Sequence, residues 1–306
     1  MIGKNSKTNG SSFADRWLIK IIIIVAVILF TTSSVIFWWR QIRNNPENIF
    51  RSVINNNLRT ASVTRTTVQE SGAQKLQQIM RIQNRTQHVT NGRTVISQGR
   101  GTVVVTESIG TPSTEYIRYV SIDTDQKNSK GQRLSFDGVT GLWAENKPEE
   151  NKLSSLYQDV TIGGFFLFAD LDAQSRQTLV NKIFDDGVYS VDYAASKGFK
   201  VSGRPKISYK VELDLKQYIT SMQEYGKMVG ISQFDEIDPN AYEGAEPVAM
   251  SVLVDVLTQR IDAVKTDDGS TDQTYSGYGI IENIDIPQNA MPASELQDKL
   301  TEKASA

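Results

Sequence analysis

From Ile21 to Trp39 the chain runs for 19 residues without a formal charge, inside the stretch WLIKIIIIVAVILFTTSSVIFWWRQIR. At about 1.5 Å of rise per residue such a helix covers roughly 29 Å, close to the hydrocarbon thickness of a bilayer. A helix in a soluble core usually keeps a polar stripe, whereas Ile21 to Phe30 is apolar on every face. A cleaved signal peptide is the competing reading, since Thr31-Thr32-Ser33-Ser34 supplies small residues. Cleavage there would leave Val35-Ile36-Phe37-Trp38-Trp39 as an exposed apolar end, so the segment reads as a retained anchor over residues 17–43.

The flanks agree with an anchor. Trp17 stands before Ile21 and Trp38-Trp39 close the run, as indoles favour the headgroup level, and Lys20 can snorkel to the interface. Lys4, Lys7, Arg16 and Lys20 precede the run, while Arg40, Arg43 and Arg51 follow it. This small basic excess predicts a single-pass protein of the cytoplasmic membrane with its N-terminus inside and its C-terminal domain outside. Residues 1–16, rich in Ser, Asn, Lys and Gly, read as a disordered cytoplasmic tail.

The 306-residue chain contains no cysteine, which excludes disulfides, thiolate chemistry and a lipid-modified cysteine. Its net charge of −2 is uneven: residues 1–43 carry +5, residues 44–133 carry +6, and residues 134–306 carry −13. The acidic half would repel phosphate, so nucleic acid is not an expected partner. The arginines of the +6 stretch are spread along strand-like segments and read as a solvated face.

Beyond the anchor the pattern is that of one α+β domain, residues 44–292. Pro46 opens an amphipathic helix with Ile49, Phe50, Val53, Ile54 and Leu58 on one face. Between Ala61 and Lys147 come strand-like segments separated by Asn91-Gly92, Gly110-Thr111-Pro112 and Asn128 to Gly131. Asp172 to Gly187 reads as a capped helix, and Leu215 to Gly230 as a second. A strand pair lies around Gly203, and strands follow from Glu246 to Pro287, broken by a turn at Asp267 to Ser270. The tail 293–306 is polar. The regular alternation of a parallel sheet is missing, so the expected architecture is a curved antiparallel half-barrel with helices packed on one face.

The order YKVELDLKQYI, VAMSVLVDVLTQRIDAVKT and YSGYGIIENIDIP, together with the N-terminal helix and strand meander, resembles the LolA-like superfamily over about residues 46–290. That superfamily includes periplasmic lipoprotein carriers and mycobacterial LppX- and LprG-type lipoproteins. The resemblance implies a half-open barrel whose concave face holds acyl chains. A fixed helical tether departs from those carriers and would suit capture at the membrane. Ligand-cavity candidates are Phe165, Phe166, Leu167 and Phe168 in GGFFLFAD, and Ile219, Met222 and Met228 on the second helix. Apolar residues at such spacing are also what a plain core would show.

His88 is the single histidine and reads as a surface residue; with no cysteine it cannot assemble a zinc site. DTDQKNSKGQ departs from a calcium loop at Lys127 and Asn128, and Glu149-Glu150, Asp185-Asp186 and Asp235-Glu236 read as solvated charge. No catalytic residue, metal or cofactor is expected, and the chain does not read as an enzyme. Two functions remain: capture of a lipid acyl chain or other apolar ligand, or a protein-interaction domain of the cell envelope with a filled core. The expected partners are the bilayer itself, an apolar ligand, or an envelope protein.

Overall fold

The computed structural model describes residues 25, 27–33, 45–85, 87–99 and 101–305. The chain forms two compact units, Met1–Ile49 and Phe50–Ala306. In the first, residues 27–33 are helical (α1), with Val27, Ile28, Leu29 and Phe30 exposed. Among the described residues no helix is long and apolar enough to cross a membrane. Most of the expected anchor, including Trp17, Lys20, Ile21, Trp38 and Trp39, lies outside them.

Helix α2 (Pro46–Asn57) leads into the second unit, where Phe50, Val53, Ile54 and Leu58 are buried. Twelve strands then build one curved, unclosed sheet in the order β12 (Met291–Pro292), β6 (Ala144–Asn146), β5 (Thr114–Asp123), β4 (Thr102–Thr111), β3 (His88–Gln98), β2 (Gln74–Asn84), β1 (Ser62–Ser71), β11 (Asp272–Ser276), β10 (Arg260–Thr266), β9 (Val248–Asp255), β8 (Arg204–Leu213) and β7 (Tyr189–Val201). Neighbours are antiparallel except the short β12 (Met291–Pro292), which runs parallel to β6 (Ala144–Asn146). The architecture is therefore α+β.

Alternation sets the faces. On β8 (Arg204–Leu213) Ile207, Tyr209, Val211 and Leu213 are buried while Ser208, Lys210 and Glu212 are not. On β9 (Val248–Asp255) Met250, Val252 and Val254 are wholly buried beside them, and β10 (Arg260–Thr266) adds Ile261 and Val264. Each such aliphatic side chain contributes about 1.5–3 kcal/mol by leaving water. Helices α3 (Ser155–Thr161), α4 (Ala173–Asp185) and α5 (Leu215–Val229) add their apolar sides to this core.

The expected helix signals operate as read. Asp172 accepts hydrogen bonds from the Gln174 and Ser175 amides, and Gly187 follows α4 at φ 67°. Gly230 ends α5 in the left-handed region at φ 77°. The turn at Asn128 is closed by its side chain, which accepts from the Lys130 and Gln132 amides.

Asn91-Gly92 is not a turn. It lies inside β3 (His88–Gln98), with Gly92 opposite Met80 of β2 (Gln74–Asn84). A Cβ at Gly92 would fall 1.9 Å from the Met80 sulfur, so the glycine makes room for a buried methionine. The closing strand is shorter than expected: β11 (Asp272–Ser276) ends early, and the chain leaves it through Gly277 and Gly279 at positive φ. Beyond them side chains replace strand pairing, as Gln83 exchanges two hydrogen bonds with the Glu282 backbone and Ser62 donates to the Ile280 carbonyl. Residues 293–305 form helix α6, whose Leu296 packs on Val139 and Ala144 in a small separate cluster.

Candidate functional site: a strap across the inner face of the sheet

Between α3 and α4 the chain crosses the helix-covered face without regular structure, over residues 162–172. Buried irregular backbone removes carbonyls from water, and each needs a donor. The chain leaves α3 through Gly163-Gly164, where added Cβ atoms would lie 2.7 Å from the Asp159 carbonyl oxygen and 2.5 Å from that of Val160. Phe165 follows at φ 58°, an uncommon conformation for a bulky side chain.

The donors come from five separate elements. Arg65 on β1 (Ser62–Ser71) is 1% exposed; its guanidinium lies 3.3 and 3.4 Å from the Asp159 and Val160 carbonyls and 3.1 Å from the half-exposed Asp159 carboxylate. Tyr218 of α5 donates to Thr161 at 2.8 Å, Gln273 of β11 to Gly163 at 2.7 Å, and Tyr275 of β11 to Gly164 at 2.8 Å. Tyr189, the first residue of β7 (Tyr189–Val201), donates to Phe165 at 2.8 Å. The Phe168 carbonyl accepts from both Asn84 of β2 and Tyr225 of α5, at 2.7 and 3.0 Å. Beyond it, the Ala169 and Leu171 amides donate to the Asn57 and Leu58 carbonyls at the end of α2.

Burial pushes the phenol pKa values of Tyr189, Tyr218, Tyr225 and Tyr275 up, so all four remain protonated donors at any physiological pH. Their pairing is hydrogen bonding between neutral groups, suited to holding a fixed segment in place. The apolar side chains of the strap complete the packing: Phe166 stacks on Tyr189 with centroids 5.2 Å apart, and Phe168 lies 5.6 Å from Tyr275.

Of the cavity candidates, Phe166, Leu167, Phe168, Ile219 and Met222 are buried, and Phe165 and Met228 are half-buried. Phe166, Leu167 and Phe168 line a space with Ile82, Asn84, Tyr157 and Tyr225, but its volume is about 10 Å³. That is room for one water molecule at most, far below an acyl chain. Larger crevices lie at the surface, one of about 390 Å³ between His88, Pro112, Ile231 and Ile286.

His88 is half-buried, where the sequence suggested a surface residue. Its Nε2 lies 3.0 Å from the Val229 carbonyl at the end of α5, and its Nδ1 3.3 Å from Asn84 Oδ1. Burial lowers its pKa, opposed by the hydrogen bond to Val229. Among the described residues no group of three or more His, Asp or Glu is placed to hold a metal ion. The donor set escaped sequence reading because Arg65, Asn84, Tyr189, Tyr218, Tyr225, Gln273 and Tyr275 share no motif; Gly163-Gly164 was the visible sign of the strap.

No protein-family model and no curated protein matches the chain. Among solved structures, MucB aligns over 83% of this chain and 62% of its own, at 10% identity and a TM-score of 0.26. A porin-like protein from Bacteroides uniformis ATCC 8492 aligns over 72% of this chain and 97% of its own, at 11% identity and a TM-score of 0.20. This chain thus spans 62% of the length of MucB, and at these scores neither likeness bears on function.

Proposed function

We propose that the chain is a single-pass membrane protein whose domain stands outside the cytoplasm and acts as a protein-interaction module of the cell envelope. The filled inner face carries this choice over lipid capture. In a LolA-like half-barrel that face would receive the acyl chain; here the strap lies on it, with the Gly163, Gly164, Phe165 and Phe168 carbonyls engaged and a space of only about 10 Å³ beside Phe166, Leu167 and Phe168. The tether is supported by the uncharged run Ile21–Trp39 and by α1. Thr31 and Thr32 return their hydroxyls to the Val27 and Ile28 carbonyls, the way such groups are satisfied where water is absent.

Hydrogen exchange on the full chain tests this reading. The amides of residues 161–171 are expected to exchange slowly, at rates unchanged by added oleate or phospholipid, while photo-crosslinking in intact cells yields a discrete protein adduct. Faster strap exchange on adding lipid, with one defined lipid co-purifying, would return the domain to lipid capture.

A further inference from the structure

Beyond residue 45, seven large apolar side chains are exposed among the described residues: Ile79, Val120, Phe199, Val201, Leu257, Ile280 and Ile281. The strand register gathers five of them at one end of the sheet. Strand β7 reaches its hairpin turn with Phe199 and Val201, and the pairing of Lys206 with Asp255 brings the β9–β10 turn, with Leu257, to the same end. Thr64 pairs with Ser276, so the loop carrying Ile280 and Ile281 also leaves at this end, tied to Ser62. The five are 44–54% exposed and lie along a rim six strands wide, β7 to β1, or about 24 Å at the usual strand spacing.

The charge of the β7–β8 hairpin is as distinctive, while on the loop beside Ile281 Glu282 pairs with Arg81. Residues 196–206 contain Lys197, Lys200, Arg204 and Lys206 and no acid, within a half of the chain whose balance is −13. Arg204 and Lys206 pair with Asp255, whereas Lys197 and Lys200 have no acidic partner among the described residues. At the hairpin tip Ser202 and Gly203 both adopt positive φ, as a two-residue type I′ turn requires.

We propose that this rim rests on an anionic lipid surface, with Phe199, Val201, Leu257, Ile280 and Ile281 entering the headgroup boundary and Lys197 and Lys200 meeting lipid phosphates. The inference rests on the tether of the preceding section, which keeps the domain beside a bilayer. Single apolar side chains on separate tips suit a fluid surface that closes around each, and lysine flanking favours anionic headgroups. A protein partner fits less well, because interface cores are depleted in lysine.

The absence of cysteine allows a clean test on the full chain in proteoliposomes. Single variants Val201→Cys, Lys130→Cys and Ile28→Cys are labelled with a polarity-sensitive fluorophore and challenged with spin-labelled lipids. Lys130 reports the opposite end of the sheet, beyond the end of β5 (Thr114–Asp123), and Ile28 reports the tether. The expected result is at least about twofold quenching at position 201 when phosphatidylglycerol is present. It should fall to the level at position 130 in phosphatidylcholine alone or after Lys197→Glu with Lys200→Glu. Quenching at 28 without quenching at 201 would overturn the rim and leave the tether standing, whereas quenching at 201 alone would do the reverse. A label at 201 that stays wet in vesicles but is shielded in native membranes would overturn the lipid surface and give the rim to a protein.

Discussion

The inner face and the rim invert the usual distribution of polar and apolar groups. Under the strap lie an arginine, a glutamine, an asparagine and four tyrosines, and each donates to a carbonyl of α3 or the strap. At the rim five apolar side chains are 44–54% exposed among the described residues. Burial of polar groups is tolerated where they are paired, and these seven side chains each have an acceptor, although Arg65 Nε and the Thr67 hydroxyl are buried without a partner among the described residues. Exposed apolar side chains collected at one end mark where the molecule can still gain free energy, which is by contact with something else.

The largest expected effect tests whether the strap is core. Phe166 is 2% exposed and stacked on Tyr189, so Phe166→Ala should cost about 3–5 kcal/mol, read as a lower urea midpoint with unchanged slope. A loss below about 1 kcal/mol would mean the strap can leave the face at little cost, and the contrast with the rim would collapse.

Next comes the ionic joint beneath the rim. Burial alone would raise the pKa of Asp255, but Lys206 and the amide and hydroxyl of Thr258 hold it down to about 2, from an ordinary 3.8. The folded value is the lower one, so the unfolded chain binds the proton more readily. The contribution, about 2 kcal/mol, is present above the ordinary value of 3.8 and is lost as pH falls through about 2. Urea unfolding at pH 7, 4 and 2.5 should show this loss in the native chain and a much flatter profile in Asp255→Asn, which is already destabilised at pH 7. Since Asp255 also fixes the Leu257 and Thr258 amides, acid should loosen the turn that carries Leu257 before the strap exchanges.

A smaller effect tests the donor ring directly. Tyr275→Phe leaves the Gly164 carbonyl without its donor and Gln273 without one of its partners. Loss of a buried partner costs about 1–3 kcal/mol; because the phenol no longer has to be desolvated, the lower part of that range, about 1–2, is expected. Hydrogen exchange should rise at 162–166 more than at 169–171, whose amides are tied to α2.

The sequence made the helices legible through Asp172, Gly187 and Gly230, and most strands through their alternation, because caps and periodicity are local. It misled at Asn91-Gly92, whose turn-like pair answers to Met80 on the neighbouring strand, a contact no local pattern encodes. GGFFLFAD, read from the sequence as a source of cavity-lining residues, forms part of the strap with Phe166, Leu167 and Phe168 buried, yet its apolar residues gave no sign of whether they line a cavity or fill one. That outcome depends on donors contributed from as far apart as Arg65 and Tyr275. The rim was invisible for the same reason, since Phe199, Leu257 and Ile280 come together through strand register alone.

The smallest expected effect on stability carries the most about function. Phe199→Thr with Val201→Thr keeps strand-forming residues on β7 while removing its two apolar tips, so neither pairing nor core packing changes. Unfolding free energy should move by no more than about 0.5 kcal/mol, as for surface sites away from buried contacts. A larger loss would show that these side chains already serve the fold, and the rim would become an extension of the core. Unchanged stability, joined to loss of lipid contact at the β9–β10 turn read from a Leu257→Cys label, would separate the two regions: one holds the domain together, and the other is free to meet a surface.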